Sequence, residues 1–247
     1  MRRRFFVEHF DSGSAALRGE AAEHLGRVLR AEPGQLYELS DGHHVWLGRI
    51  ERVAFARRGE SRIDFTLVEP VPAREPSVQI DLLLSLVKFD RFEWCLEKAT
   101  ELGAREILPL AAARTDKPLI AAASKRRARW VRILLESAQQ SRRLGPPSIS
   151  EPVAPEKAFE QCSAAAKIVL SERPGAPSIR EALRGAAAGA GPNIAAVAIG
   201  PEGGWTDAEI AAAKAAGFAE ASLGDNILRT ETAVLASMAI LRFALGE

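Results

Sequence analysis

Residues 194–205 read Ile194-Ala195-Ala196-Val197-Ala198-Ile199-Gly200-Pro201-Glu202-Gly203-Gly204-Trp205. Six apolar residues empty into a loop that holds three glycines, a proline and one charge. A short apolar run closed by turn residues reads as a buried strand. Thr206-Asp207-Ala208-Glu209 follows at once, and this spacing is a capping box that opens a helix. In an open parallel sheet, ligands sit where strands end and such loops begin. A phosphate cradle would add lysine and a hydroxyl in the G-x-x-x-x-G-K-[ST] spacing. Here the only charge is Glu202, which repels phosphate. The loop therefore favours a neutral or cationic ligand held by backbone groups that glycine lets approach. A tight turn feeding a helix cap accounts for the same residues equally well.

Working outward, Leu223-Gly224-Asp225-Asn226-Ile227-Leu228-Arg229-Thr230-Glu231-Thr232 is a second loop of this kind, after a brief strand at 219–223. Ile227 and Leu228 are expected to face the interior, and Thr230 to cap a last helix reaching Leu245. Arg229 stands at the wrong helix end for a cation, a cost of about 0.3–1 kcal/mol, so it calls for a functional or an ion-pair explanation. Further strands are expected at 78–87, 106–110 and 167–170. Helices are expected from Asp90, as cap, to Gly103, from Ser124 to Arg143, and from Thr206 to Gly217, with Phe92, Leu96, Ala99 and Leu102 forming the stripe of the first. Strands alternating with helices define a parallel sheet with helices on its faces. Gly185 to Gly191 follows no strand and precedes Pro192, so it reads as a flexible connection and not a dinucleotide loop.

The first seventy residues differ in character. Short strand-like runs lie at 4–7, 35–39, 45–50 and 62–68, with Asp41-Gly42 as a hairpin signal. One helix, about Glu20 to Arg30, presents Ala21, Leu25, Val28 and Leu29 on one face. Together these predict a small barrel. Prolines at 70, 72 and 76 mark a linker over 69–76. The expected domains are 1–72 and 73–247.

Composition fits a soluble globular chain: 47% hydrophobic and 26% charged over 247 residues. No apolar run approaches the roughly 20 residues of a membrane span. Glu8 and His9 interrupt any export signal, so the reading is cytoplasmic. Cys95 and Cys162 make no disulfide framework, and His9, His24, His43 and His44 have no partner at ligand spacing, so no metal is expected. Net charge is only +1, so any nucleic-acid face is a local patch. Lys125, Arg126, Arg127, Arg129 and Arg132 crowd one helix, with Arg142 and Arg143 at its end and only Glu136 to pair along it. Arg2, Arg3, Arg4, Arg27 and Arg30 form a second cluster. Two such patches favour RNA over a merely solvated face.

IGPEGGW, taken with LGDNILRTETA at 223–233, resembles the ribosomal RNA small subunit methyltransferase E family of SPOUT methyltransferases. EKATELG at 97–103, Ile107-Leu108-Pro109, Arg129-Trp130, Gln139-Gln140-Ser141-Arg142 and Arg27-Val28-Leu29-Arg30 extend the match over nearly the whole chain. The resemblance implies methylation of N3 of a uridine in 16S ribosomal RNA from S-adenosylmethionine, acting on that RNA or on the small subunit. It implies a PUA-like β-barrel joined to an α/β domain with a trefoil knot, in a homodimer. The knot rests on the resemblance alone, since knots are nearly absent from folds.

By the same resemblance Gly200, Pro201, Glu202, Gly203, Leu223, Gly224, Ile227, Leu228 and Thr230 would hold the cofactor. Arg114 matches the arginine of the family's first motif, and Arg229 is the other candidate for the chemistry. Ala113 stands where a glutamate is expected before that arginine. Glu202 and Glu231 are candidate bases, each with an ordinary structural explanation. Arg3, Arg4, Arg27, Arg30, Arg126, Arg129 and Arg142 would meet RNA. The competing readings are another RNA position, such as a ribose 2′-OH, and a non-catalytic RNA-binding module.

Overall fold

The computed structural model describes residues 3–56, 60–73, 76–186 and 194–246. They form two compact units, one of residues up to 75 together with 138–146, the other of 76–137 and 147 onward.

The first unit contains β1 (Arg4–Phe6), β2 (Ser14–Arg18), α1 (Gly19–Glu23), β3 (Leu36–Ser40), β4 (Val45–Ala54) and β5 (Arg62–Pro70). They make a five-stranded sheet in the order β1-β3-β4-β5-β2. β1 runs parallel to β3 and the other pairs are antiparallel. Phe5, Leu17, Leu25, Leu39, Ile50, Ile63 and Phe65 fill its core. β2 was not legible, because Ser-Ala-Ala-Leu-Arg offers only Leu17 as a large apolar anchor. α1 runs into one π-helical turn (His24–Val28), in which Leu29 N–H donates to the His24 carbonyl. This wider i→i+5 turn carries Val28 off the apolar face, and it is 66% exposed, against expectation. The expected linker also shortens: Glu69 and Pro70 close β5, with Pro70 opposite Trp46.

Residues 138–146 are tied to this sheet by backbone acceptors. Arg4 Nη1 donates to the Arg142 carbonyl at 2.6 Å, and Ser40 Oγ to the Leu144 carbonyl at 2.6 Å.

The second unit holds β6 (Gln79–Ser85), α2 (Phe89–Glu101), β7 (Ala104–Leu110), α3 (Lys117–Gln140), β8 (Ser148–Ile149) and α4 (Pro155–Gln161). It continues with β9 (Ala166–Leu170), α5 (Ile179–Ala186), β10 (Ile194–Ile199), α6 (Asp207–Ala215), β11 (Ala219–Ala221) and α7 (Thr230–Leu245). All six strands are parallel, in the order β11-β9-β10-β6-β7-β8. Side chains alternate across the strands. Ile80, Leu82 and Leu84 of β6 join Phe92, Trp130 and Met238 on one face, while Leu83 joins Phe159 and Ile210 on the other. Both faces are covered, which is why β6 and β10 read as nearly continuous apolar runs.

Three boundaries differ from expectation. α2 starts at Phe89 with Lys88 in the cap position, so Asp90 lies in the first turn and is no cap. α3 starts at Lys117, where Pro118 suits a first turn, not at Ser124. Thr230 is the first helical residue of α7, and Arg229 occupies its cap position in an extended conformation. The capping box of α6 is present, with Thr206 and Glu209 bonding reciprocally. Of the Gly185–Gly191 stretch, residues 187–191 lie outside the described residues, and 185–186 end α5.

Candidate functional site

A pocket of about 980 Å³ opens at the carboxyl ends of β9 and β10. Its size is that of a site for a cofactor or drug-sized ligand. Three segments line it: 170–176 after β9, the glycine loop after β10, and the loop 222–230 before α7. Lys88, Arg91 and Arg114 complete the rim.

The glycine loop is shaped by its neighbours. A Cβ on Gly200 would lie 3.1 Å from two atoms of the Trp205 indole. That ring is held from behind, its Nε1 donating to the Leu170 carbonyl at 2.9 Å and its face meeting Phe159 edge-on. Gly204 has φ +69°, so the turn needs glycine there, and its N–H donates to the Pro201 carbonyl at 2.8 Å. In the second loop Gly224 has φ +129°, and its N–H and carbonyl are both engaged by the Ser222 hydroxyl, at 3.2 and 2.9 Å.

Of the residues expected to hold a cofactor, Gly200, Pro201, Glu202, Leu223, Gly224, Ile227, Leu228 and Thr230 all line this pocket. Gly203 does not; its carbonyl instead accepts a hydrogen bond from Arg114 Nη1 at 2.9 Å. Ile227 was expected to point inward and is 82% exposed. The loop ahead of α7 turns it to solvent, while Leu223 and Leu228 pack against the core.

Arg114 and Arg229 both reach the rim. Among the described residues Arg229 forms no ion pair, so none offsets the cation at the start of α7. Glu202 is ion-paired with Arg91 of α2. Glu231 is not among the pocket walls; one of its carboxylate oxygens is buried without a hydrogen-bond partner. Burial, and secondarily the Glu231 charge, push the Cys95 thiol up to about 12.

Sequence reasoning missed Glu209. It is 1% exposed, and besides capping α6 it accepts from Ala113 N–H at 2.8 Å. A carboxylate therefore does orient the segment carrying Arg114, supplied from α6 and not from position 113. The capping-box spacing announced Glu209, but not its second contact.

The basic helix is more paired than its own sequence indicates. Arg126 and Arg129 both reach Glu93 of α2, at 3.4 and 2.8 Å, and Arg127 reaches Glu151 at 3.4 Å. Arg132 pairs Glu136 one turn on, at 2.9 Å, so the expectation of a face not salt-bridged along the helix fails there, and elsewhere because the other acids come from other elements. Arg4 is 6% exposed and bonds Glu38 through two nitrogens at 3.1 and 2.9 Å, so it is a structural cation and not part of an open RNA face. Arg142 also lies 3.7 Å from Glu38. Arg27 sits over the Phe55 ring at 4.9 Å, and Arg3 and Arg30 are exposed.

Among the described residues no cluster of three or more His, Cys, Asp or Glu is arranged to hold a metal, and no helix is long and apolar enough to cross a membrane.

A parallel sheet with two lysine-free glycine loops framing one pocket at the carboxyl ends of its strands defines the class. Residues 74–242 match the family model of the RNA methyltransferase domain. The chain is 32% identical to the ribosomal RNA small subunit methyltransferase E of Synechocystis sp., over 87% of this chain and 68% of that protein. It is 31% identical to the protein of the same name from Bacillus subtilis, over 97% and 96%. A crystal structure of the Neisseria gonorrhoeae ribosomal RNA small subunit methyltransferase E, bound to S-adenosyl methionine, superposes with a TM-score of 0.83 at 28% identity, covering 100% of this chain and 99% of that one. The chain belongs to the ribosomal RNA small subunit methyltransferase E family.

Proposed function

We propose that this chain is an S-adenosylmethionine-dependent methyltransferase acting on RNA of the small ribosomal subunit, at N3 of a uridine in 16S ribosomal RNA. The observation that carries it is a pocket of about 980 Å³ framed by backbone at Gly200, Gly204 and Gly224, with no lysine in either glycine loop. Such walls suit a ligand that carries a sulfonium and no phosphate. Backbone groups around Gly200, Leu223, Gly224 and Leu228 would read the adenine, with Leu223 and Leu228 as apolar walls.

The cofactor supplies an electrophilic methyl group. Uracil N3 is a poor nucleophile until it loses its proton, and the charge then spreads onto the flanking oxygens. Arg114 and Arg229, on the rim, are the groups to stabilise that charge. Arg114 is steadied for the task by Gly203 and, through the adjoining amide, by Glu209. Among the described residues no histidine or cysteine lines the pocket, in keeping with direct transfer to N3 without a covalent enzyme intermediate.

Finer readings accompany this one. The first unit serves as a PUA-like barrel for RNA, with a boundary near residue 72, and Arg3, Arg27 and Arg30 contribute to its contacts. Arg126, Arg129 and Arg142 contribute others; surface ion pairs are worth about 0–1 kcal/mol and yield to phosphate. The chain crosses itself in a trefoil knot around the pocket. In support, β11 pairs with β9 and not with β10, which precedes it. The enzyme works as a cytoplasmic homodimer, consistent with Trp94 of α2 and Phe243 of α7 standing 39% and 82% exposed.

The test is incubation of small-subunit RNA from cells lacking this protein with labelled cofactor, followed by mass analysis of the nucleosides. Label in 3-methyluridine supports the proposal. Label on a ribose assigns a different target, and no label favours a non-catalytic RNA-binding module.

A further inference from the structure

The cations expected to grip RNA proved largely ion-paired, which directs attention to the pocket's own rim. Five cations line it: Lys88, Arg91, Arg114, Arg173 and Arg229. Four carboxylates line it too: Glu172, Glu202, Asp207 and Asp225. Arg173 is held by Asp207, and Arg114 by the Gly203 carbonyl. Lys88 has no carboxylate partner among the described residues. Arg91 has one, Glu202, which belongs to the glycine loop. Lys88 and Arg91 are three residues apart at the start of α2, and both side chains reach the same opening.

We propose that Lys88 and Arg91 form a seat for a backbone phosphate of the RNA strand entering the pocket, and that Arg91 exchanges Glu202 for that phosphate as RNA docks. The inference rests on the proposed function and deepens it. Its energetic basis is the exposure of the existing pair: the Arg91 and Glu202 side chains are 33% and 48% exposed. A pair so open to water contributes about 0–1 kcal/mol, so losing it costs little. A guanidinium recognises phosphate in a bidentate fashion, and Lys88 adds a second positive charge with no competitor to displace. The exchange releases Glu202 from α2 at the moment the substrate arrives. RNA docking is thereby linked to the loop that frames the cofactor.

The experiment is a double-mutant cycle read by filter binding of small-subunit RNA from cells lacking this protein, over a range of salt, with methyl transfer measured in parallel. Lys88→Ala and Arg91→Ala should each weaken RNA binding several-fold, and the Lys88→Ala/Arg91→Ala double variant should flatten the dependence of log K on log salt by about 0.7, one single-strand phosphate contact. Glu202→Gln, which removes the competitor, should tighten RNA binding several-fold in the wild-type background and leave it unchanged in the Arg91→Ala background. An equal gain from Glu202→Gln in both backgrounds would mean a general charge effect and overturn the exchange. An unchanged salt slope in the Lys88→Ala/Arg91→Ala double variant would overturn the seat. If either result occurs while the wild-type chain methylates RNA, this inference alone falls. If the wild-type chain transfers no methyl group, the proposed function falls and takes this inference with it.

Discussion

Arg114 donates through Nη1 to the carbonyl of Gly203, 2.9 Å away and 89 residues later in the chain. The contact fastens the segment after β7 to the glycine loop after β10, so the proposed charge-stabilising group and the loop proposed to hold the cofactor are tied together. Arg114→Ala should therefore lower the single-turnover rate by about 10²-fold, as loss of one electrostatic stabiliser does, with a smaller change in cofactor affinity. Arg229→Ala should act in the same direction. Rapid-quench measurement of methyl transfer at saturating RNA decides it. Unchanged rates in both variants would remove these residues from the chemistry.

Asp81 is 5% exposed in the central strand β6, and Arg105 of β7 bonds both its oxygens, at 2.8 and 2.6 Å. Removing the cation strands a buried carboxylate. Arg105→Met is expected to destabilise the chain by about 1–3 kcal/mol, less than for a fully buried pair because the Arg105 side chain is partly open to water, seen as a lower denaturant midpoint. Cofactor affinity should hold, since neither residue lines the pocket. A loss under about 0.5 kcal/mol would show that Asp81 is satisfied without its partner.

The thiol of Cys95, pushed from its ordinary 9.0 up to about 12 by burial and then by Glu231, stays protonated in the folded chain. A raised folded value stabilises the native state fully below the unfolded value near 9, and this contribution is lost as pH rises toward 12. Iodoacetamide at pH 8.5 should accordingly spare Cys95 until denaturant is added. Rapid modification of Cys95 in the native protein would contradict the burial argument.

The sheet was legible because β6, β9 and β10 are covered on both faces and spell near-continuous apolar runs. The glycine loops were legible because their composition admits few conformations. What the sequence hid lies in contacts between distant segments. Nothing near Arg126 or Arg129 announces Glu93, which approaches from α2, and nothing near Arg4 announces Glu38. β2, α4 and α5 were missed because short elements carry too little periodicity. Ile227 misled because an apolar side chain in a loop can face water as readily as core.

Gly200 provides the most direct test of the pocket assignment, because a single methyl group there would press on the Trp205 ring at 3.1 Å. Titration calorimetry of S-adenosylmethionine into the wild-type chain and into Gly200→Ala measures it. The expected result is one site per chain in the wild type and at least tenfold weaker binding in the variant, about 1.4 kcal/mol. No binding to the wild type, or equal affinity in the two, would contradict the placement of the cofactor between these loops.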